Sequence, residues 1–256
     1  MSNALIGHTG FVGSTLARAR AYDAAYNSKN IGEIDGRVFD TVICAGASAS
    51  KWLANQEPET DLRQINRLMS HLGHVRAGRF VLISTIDVYR DPVDVDEGDV
   101  PQRDGLHAYG LHRLILEDYV RQRFDSAVVI RLPGLFGDGL RKNLIFDMLN
   151  ENQTSKISPM GMLQWYAMRR FPMDIDAIVA SGVHLINLGV EPVSTEDIRQ
   201  RFFPTVAIGP ATTAGPNYDM KTQFAEVLGG KGRYHMDVSA MMHELEQFVH
   251  AERRRA

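Results

Sequence analysis

The stretch Leu5-Ile6-Gly7-His8-Thr9-Gly10-Phe11-Val12-Gly13 decides how the rest of the sequence is interpreted. It joins a short apolar run to an amphipathic run through three regularly spaced glycines, which is the pattern of a strand, a turn and a helix. Gly7 permits the tight turn, Gly10 lets the backbone approach a pyrophosphate, and Gly13 lets the helix pack close to the strand. The start of the helix favours an anionic group. We therefore predict a dinucleotide site; the alternative is a turn that needs glycine only for its own geometry.

Short apolar runs alternate along the chain with longer amphipathic ones. Five runs lack polar alternation, as strands buried on both faces do, at 4–6, 41–44, 80–83, 127–130 and 184–187. Apolar residues at helical spacing separate them, at 11–20, 61–74 and 107–124. This order predicts an α/β protein with a Rossmann-type, doubly wound parallel sheet of at least five strands.

The sequence also suggests two regions of different character. Residues 1–137 are expected to form the NAD(P)-binding domain, completed by a returning strand near 183–188. Glycine, proline, methionine and aromatic residues accumulate from Leu135 to Phe171, so residues 138–182 and 189–256 are expected to form a small C-terminal substrate-binding lobe with a helix near 238–253. A polar tract from Asp91 to Gly105 is expected to be an irregular surface loop.

Composition limits the classes of partner. The net charge of −3 gives no basic surplus for nucleic acid or an anionic membrane surface, and no apolar stretch is long enough for a membrane helix. Cys44 is the only cysteine, which excludes an internal disulfide framework and a cysteine-rich zinc site. We therefore expect a small-molecule partner, no metal site and a cytoplasmic location.

The pattern Gly-x-x-Gly-Phe-x-Gly from Gly7 to Gly13 resembles the fingerprint of the extended short-chain dehydrogenase/reductases, the NAD-dependent epimerase/dehydratase family that includes nucleotide-sugar 4-keto reductases and epimerases. The resemblance implies an NAD(P)-dependent oxidoreductase or epimerase that transfers hydride at a sugar-type hydroxyl or carbonyl. It also implies a set of cofactor-binding residues: Gly7, Thr9, Gly10, Phe11, Val12, Gly13, Ser28, Lys29, Cys44, Ala45, Gly46, Ser84, Tyr109, Arg113 and Pro133.

The end of the predicted second strand bears on the choice between NAD and NADP. An acidic residue there would pair with the ribose hydroxyls of NAD, but residues 24–30 contain no carboxylate. Ser28 and Lys29 carry donors suited to the additional phosphate of NADP, so NADP is preferred to NAD. The alternative is an ordinary polar turn. Residues 29–40 are also too few for a complete helix and strand, which predicts an abbreviated crossover.

Two further segments resemble the catalytic motifs of the family. Thr85 follows the strand at 80–83, and Tyr109-Gly110-Leu111-His112-Arg113 resembles the family's Tyr-x-x-x-Lys. The resemblance implies that Tyr109 is the general acid or base, that Thr85 orients the substrate oxygen and that Arg113 tunes Tyr109. His112 is expected on the surface. Arginine in place of lysine leaves open an alternative function, a non-catalytic NAD(P)-binding sensor or scaffold.

The segment from Arg131 to Gly137 resembles the end of the family's sixth strand, where Pro133 would support the nicotinamide ring. An arginine at the end of a strand is more commonly a buried ion-pair partner, so Arg131 is not assigned a catalytic role. The resemblance, together with local charge, implies a set of substrate-binding residues: Asp87, Arg141, Lys142, Asn143 and Arg169. The helix within 107–124 lies in a region through which family members pair, which suggests a homodimer.

Overall fold

A computed structural model describes residues 2–255 of the chain. Its strands are β1 Asn3–Ile6, β2 Ala24–Tyr26, β3 Val38–Cys44, β4 Arg76–Thr85, β5 Val93–Val95, β6 Ala127–Leu132, β7 Gly134–Phe136, β8 Met162–Leu163, β9 Trp165–Ala167, β10 Leu185–Asn187, β11 Val193–Ser194 and β12 Asp219–Met220. Its α-helices are α1 Phe11–Ala19, α2 Lys51–Gln56, α3 Pro58–Leu72, α4 Ala108–Arg123, α5 Leu144–Leu149, α6 Phe171–Ser181, α7 Thr195–Phe202 and α8 Val238–Arg253. No helix within 2–255 is both long and apolar enough to cross a bilayer.

A six-stranded parallel sheet, ordered β10-β6-β4-β3-β1-β2, confirms the predicted fold class. The five apolar runs found in the sequence supply five of its strands, and β2 is the sixth. In the register of the sheet, Ile6 at the end of β1 lies beside Tyr26 and Cys44, which end β2 and β3. The segments that follow these strands therefore meet at the carboxyl edge of the sheet, where α/β proteins bind ligands.

The crossover between β2 and β3 is abbreviated, as the short distance between Lys29 and Asp40 predicts. A single 3₁₀ turn at Ile31–Ile34 replaces a full helix. Ile31 and Ile34 are both buried, so the turn still covers part of the sheet with apolar side chains. The rings of Phe80 and Phe124, whose centroids are 4.2 Å apart and nearly parallel, extend the same hydrophobic core.

A buried ion pair lies at the carboxyl half of the sheet. Arg131 on β6 donates to Glu117 on α4, with Nη2 2.7 Å from Oε2, and both side chains are at most 2% exposed. Arg131 also donates to the Tyr89 hydroxyl at 2.7 Å, and Ser84 donates to Glu117. Arg131 is therefore a buried ion-pair partner, as predicted, and the Ser84 hydroxyl is satisfied within the protein.

Contacts within the chain group it into two compact units. The first comprises Met1–Asp91, Asp99–Leu132 and Pro172–Asn187, and contains the six-stranded sheet. The second comprises Pro92–Gly98, Pro133–Phe171 and Leu188–Ala256.

The tract from Asp91 to Gly105 is not irregular throughout, so that expectation is wrong for Val93–Val95. These residues form β5, which pairs with β12 of the same unit. Asp94 forms ion pairs with Lys221 and Arg233, and these contacts with a distant part of the chain fix a polar segment that has no local structural signal. The predicted helix near 238–253 is confirmed as α8.

His235 is a buried histidine in the second unit, packed edge-on against Tyr166 at a centroid distance of 5.9 Å. Burial and, secondarily, the charge of Arg170 lower its pKa to about 3. The unfolded chain takes up a proton near pH 6.5, whereas the folded chain does so only near pH 3. The protein therefore loses stability as the pH falls through this window.

We expect the free energy of unfolding to fall by about 2 kcal/mol between pH 6.5 and pH 5 on account of His235. Urea titrations of the parent and of His235→Gln at both pH values measure this difference. His235→Gln should be less stable at neutral pH but should lose less stability on acidification. An equal loss in both proteins would contradict the assignment.

Candidate active site

The turn after β1 has the geometry that its glycines allow. Gly7 has a φ of +86°, and a Cβ atom on it would lie 2.2 Å from the carbonyl oxygen of Ala45. A Cβ atom on Gly13 would lie 2.0 Å from the carbonyl oxygen of Gly7. Any larger residue at either position would therefore displace backbone, so the close approach of α1 to β1 depends on glycine.

The opposite side of this turn is open. Gly10 occupies the N-cap position of α1 and is exposed, as is Thr9. A Cβ atom on Gly10 would meet only the Gly7 carbonyl oxygen, at 3.4 Å. Gly10 offers no side-chain acceptor to the first amides of α1, and the first turn of α1 carries no acidic residue. Phe11 and Val12, at the start of α1, are half-buried. This combination suits an anionic group such as a pyrophosphate.

The segment after β2 is a polar turn closed by its asparagines. The Asn27 amide N–H donates to Asn30 Oδ1 at 2.7 Å, and the Lys29 amide N–H donates to Asn27 Oδ1 at 2.8 Å. Ser28 and Lys29 are both exposed. Asn27 Nδ2 lies 3.2 Å from Nε2 of His8, which connects this turn to the glycine turn.

The residues after β3 continue the same edge of the sheet. Cys44 is fully buried, and burial raises the pKa of its thiol to about 11. Of the cofactor-binding residues predicted here, the Cys44 side chain lies in the hydrophobic core, whereas Gly46 is exposed and Ala45 is half-buried. Only the latter two offer surface to a ligand.

Tyr109 and Thr85 lie together in the first unit. His107 caps α4 by accepting the Gly110 amide N–H at Nδ1, and the Tyr109 amide N–H donates to Asn55 Oδ1 at 2.9 Å. The Tyr109 side chain hydrogen bonds with Thr85, and both residues are 9% exposed. Burial raises the pKa of the Tyr109 phenol, although the charge of Arg113 opposes this rise. Tyr109 is consequently protonated at neutral pH.

Arg113 lies against the ring of Tyr109 and is held in place by protein groups. Its guanidinium carbon is 4.0 Å from the centroid of the Tyr109 ring. Both terminal nitrogens donate to the Asp61 carboxylate, and Nη2 also donates to the Ser48 carbonyl at 2.6 Å. Arg113 is 3% exposed. Its charge therefore reaches Tyr109 across the ring face, while both of its terminal nitrogens are bound to the protein.

His112 is not a surface residue, and that expectation is wrong. It is 5% exposed, and its Nδ1 lies 2.7 Å from Asp61 Oδ2. Although burial opposes the effect, hydrogen bonds from Arg113 and His112 hold the pKa of Asp61 below its usual range. Adjacent helical residues point in different directions, so His112 was expected to lie away from Arg113. Asp61 on α3 nevertheless contacts both side chains. No local pattern in the sequence indicates the contact of His112 with Asp61.

A lysine that the motifs did not identify lies beside the predicted site. Lys51, the first residue of α2, places Nζ 2.6 Å from Oδ1 of Asp87. The Asp87 amide N–H donates to Thr85 Oγ1 at 3.2 Å. Asp87, predicted to bind substrate, thus connects Lys51 to the Thr85 and Tyr109 pair. No spacing along the chain could reveal Lys51, because only the tertiary fold brings the start of α2 beside Asp87 in the turn after β4.

The remaining predicted residues belong to the second unit. Asn143 caps α5 by accepting the amide N–H groups of Ile145 and Phe146, so its side chain has a structural role. Arg141 and Lys142, just before it, are exposed. Arg169 forms an ion pair with Glu244. Pro133 is buried. No group of three or more metal-ligating side chains occurs within residues 2–255.

Comparison with known proteins places the fold. No protein-family model matches the chain, and no curated protein matches its sequence. Solved structures do match over nearly the whole chain. A dTDP-4-dehydrorhamnose reductase from Bacillus anthracis str. Ames, in complex with NADP, has a TM-score of 0.74 at 15% identity, covering 97% of this chain and 98% of the other.

Two further solved structures also match nearly the whole chain. A UDP-N-acetylglucosamine 4-epimerase from Methanobrevibacter ruminantium M1 has a TM-score of 0.76 at 12% identity, covering 100% of this chain and 99% of the other. MoeE5 in complex with UDP-glucose and NAD has a TM-score of 0.72 at 19% identity, with 99% of each chain covered. The chain therefore shares the Rossmann-type fold of these reductase and epimerase structures.

Proposed function

We propose that this protein is an NAD(P)-dependent reductase or epimerase that acts on the carbonyl or hydroxyl group of a sugar-type substrate, a nucleotide sugar being preferred. The observation that carries the proposal is the hydrogen-bonded pair of Tyr109 and Thr85, in the same unit as the open glycine turn. A buried phenol beside a hydroxyl is the arrangement required to protonate and orient an oxygen during hydride transfer.

The open face of the turn fits a dinucleotide because it offers backbone amides without a competing side chain. The amino end of α1 and the glycine turn would hold the pyrophosphate, and Ala45 and Gly46 would face the cofactor at the end of β3. When bound, NAD(P) supplies or accepts the hydride. Ser84 donates to Glu117, so we assign it to supporting the site rather than to touching the cofactor.

The protonation state of Tyr109 favours reduction. Burial raises the pKa of the phenol, so the hydroxyl is available to donate its proton to an oxygen that gains charge as hydride arrives at the carbonyl carbon. The Thr85 hydroxyl would orient the same oxygen. Oxidation of an alcohol would need phenolate, which this environment disfavours at neutral pH.

The substrate assignment rests on the structural neighbours and on charge. The neighbours bind or act on dTDP-linked and UDP-linked sugars. In this chain Arg141 and Lys142 are exposed cations just before α5, and we propose that they contact the diphosphate of such a substrate. Asp87 and Arg169 are further candidates for substrate contact, whereas Asn143 would act by fixing the start of α5.

Spectrophotometric assays with NADPH and dTDP-4-dehydrorhamnose, and with NAD and UDP-glucose, test the proposal. Consumption of NADPH with the keto sugar supports a reductase, and formation of an epimer from UDP-glucose supports an epimerase. Turnover with neither substrate, extended to other 4-keto nucleotide sugars, would overturn the assignment of an enzyme.

Exposed Lys29 allows a sharp test of cofactor preference. We expect Lys29→Met to weaken NADPH binding roughly 10- to 100-fold, because a charge-assisted hydrogen bond to the additional phosphate is lost. NADH lacks that phosphate, so its affinity should not change. Calorimetric titration of both cofactors into both proteins measures the effect. Equal affinity of parent and variant for NADPH would remove Lys29 from the site and, with it, the preference for NADP.

One observation favours a second function, a non-catalytic NAD(P)-binding sensor or scaffold. Both terminal nitrogens of Arg113 donate to Asp61 and one also donates to the Ser48 carbonyl, so these donors are not available to a cofactor ribose. A sensor would bind NADPH and turn over no keto sugar. In that case Arg113→Lys should bring measurable turnover, whereas in an adapted enzyme the same change should lower it.

A further inference from the structure

Arg113, which stands where the family has lysine, brings fixed positive charge to the ring face of Tyr109. The guanidinium stacks on the ring face at 4.0 Å, and both of its terminal nitrogens are directed at Asp61. At 3% exposure, it has no route to a ligand or to solvent. Arg113 therefore supplies charge from a fixed position, and any mobile ammonium group beside Tyr109 comes from another residue.

Lys51 supplies such an ammonium group by its position. Its side chain is 39% exposed, yet Nζ lies 2.6 Å from Asp87 Oδ1, whose side chain is only 14% exposed. The Asp87 amide N–H donates to Thr85 Oγ1 at 3.2 Å, and Thr85 hydrogen bonds with Tyr109. Lys51 is thus three contacts away from the phenol and remains in contact with solvent.

The other charged and titratable groups around Tyr109 are few. Arg113 covers the ring from α4, and Asp87 approaches from the end of β4. His107 lies with its ring centroid 6.3 Å from that of Tyr109, and its Nε2 is 4.0 Å from Asp87 Oδ1. Burial and the charge of Lys51 lower the pKa of His107, so His107 is neutral at pH 7. Lys51 is then the cation that offsets Asp87.

We propose that Lys51 is a positioning residue for Tyr109 that acts from the start of α2 and adds to the fixed charge of Arg113. It acts by neutralising Asp87, whose carboxylate would otherwise disfavour negative charge on the phenol oxygen. The effect of Lys51 on the rate of reaction rests on the proposed function. Its effect on the Tyr109 pKa does not, because Lys51, Asp87 and Tyr109 interact in the protein without substrate.

The charges at Tyr109 agree with this assignment. After burial, the largest influences on its pKa are Arg113, which lowers it, and Asp87, which raises it; Lys51 also lowers it. Removal of Lys51 alone should therefore make the phenol a weaker acid. Removal of Asp87 as well should restore the parent value, because the charge that Lys51 offsets is then gone.

Fluorine NMR of protein labelled with fluorotyrosine measures this without any substrate. Fluorination lowers the phenol pKa into a range where the fold persists, and the Tyr109 signal among the eight tyrosines is the one absent in Tyr109→Phe. We expect the Tyr109 pKa to rise by roughly 0.5–1 pH unit in Lys51→Met. It should remain at the parent value in Lys51→Arg and in Lys51→Met combined with Asp87→Asn.

Lys231→Met, which removes an exposed lysine of the second unit, is the matched control and should leave the Tyr109 pKa unchanged. A Tyr109 pKa in Lys51→Met equal to that of the parent would overturn the proposal. If keto-sugar reduction is found, Lys51→Met should lower kcat roughly 10-fold with little change in KM, and should move the basic limb of the pH profile upward. Absence of all turnover would count against the proposed function, while the NMR result would still decide the role of Lys51.

Discussion

Tyr109→Phe is expected to lower the rate of keto-sugar reduction roughly 10²–10⁴-fold, the usual contribution of a general acid. The phenol is buried and hydrogen bonded with Thr85, so phenylalanine would keep the ring and its stacking with Arg113 while removing the proton donor. Cofactor affinity should stay within about 2-fold of the parent, because the hydroxyl contributes to chemistry more than to binding. Steady-state kinetics and calorimetric titration of NADPH measure the two quantities.

Tyr119→Phe is the matched control, since Tyr119 lies on the same helix α4 but is only partly buried and belongs to the packing of the core. Its loss of a hydroxyl should leave kcat close to the parent value. If both variants retained parental kcat, Tyr109 would not be the acid. If Tyr109→Phe lost cofactor binding together with turnover, its role would be structural.

Glu117→Leu is expected to destabilise the first unit by about 3–5 kcal/mol, because it leaves the buried guanidinium of Arg131 without its carboxylate. Glu117 is 1% exposed and also accepts a hydrogen bond from Ser84, so water cannot replace it. Urea unfolding followed by circular dichroism measures the loss. Glu117→Gln, which keeps an acceptor of similar shape, should show a smaller loss.

Glu59→Gln provides the contrast. Glu59 and Arg63 form an exposed pair 3.9 Å apart on α3, and such pairs contribute little because water and salt screen them. We expect a change of less than about 0.5 kcal/mol. Similar losses in Glu117→Leu and Glu59→Gln would contradict the account of the buried pair.

The central sheet was predictable because its strands are buried on both faces. Runs such as Val81 to Ile83 have no polar alternation, and few other structures accommodate that pattern. The glycine turn was predictable for a related reason, since a φ of +86° at Gly7 and the approach of α1 leave no space for another residue. Both the buried strands and the glycine turn are therefore specified by residues that lie close together in the sequence.

The charges of the site were not predictable in the same way. Asp61 reaches Arg113 and His112 from another helix, and Lys51 reaches Asp87 from a third. Each contact joins residues far apart in sequence, and a surface lysine or a helical aspartate has no distinctive local pattern. For the same reason β5 was missed, because its one polar residue, Asp94, forms ion pairs with the distant Lys221 and Arg233.

Calorimetric titration of NADPH and NADH into the parent protein and into Gly10→Val decides whether the glycine turn binds a dinucleotide. Gly10 has ordinary extended backbone angles and open space at its Cβ position, so the variant should fold like the parent, which thermal unfolding checks. We predict saturable binding of both cofactors to the parent, with NADPH bound more tightly, and loss of binding of both cofactors in the variant. Absence of binding to the parent, or equal binding to both proteins, would contradict a dinucleotide site at this turn.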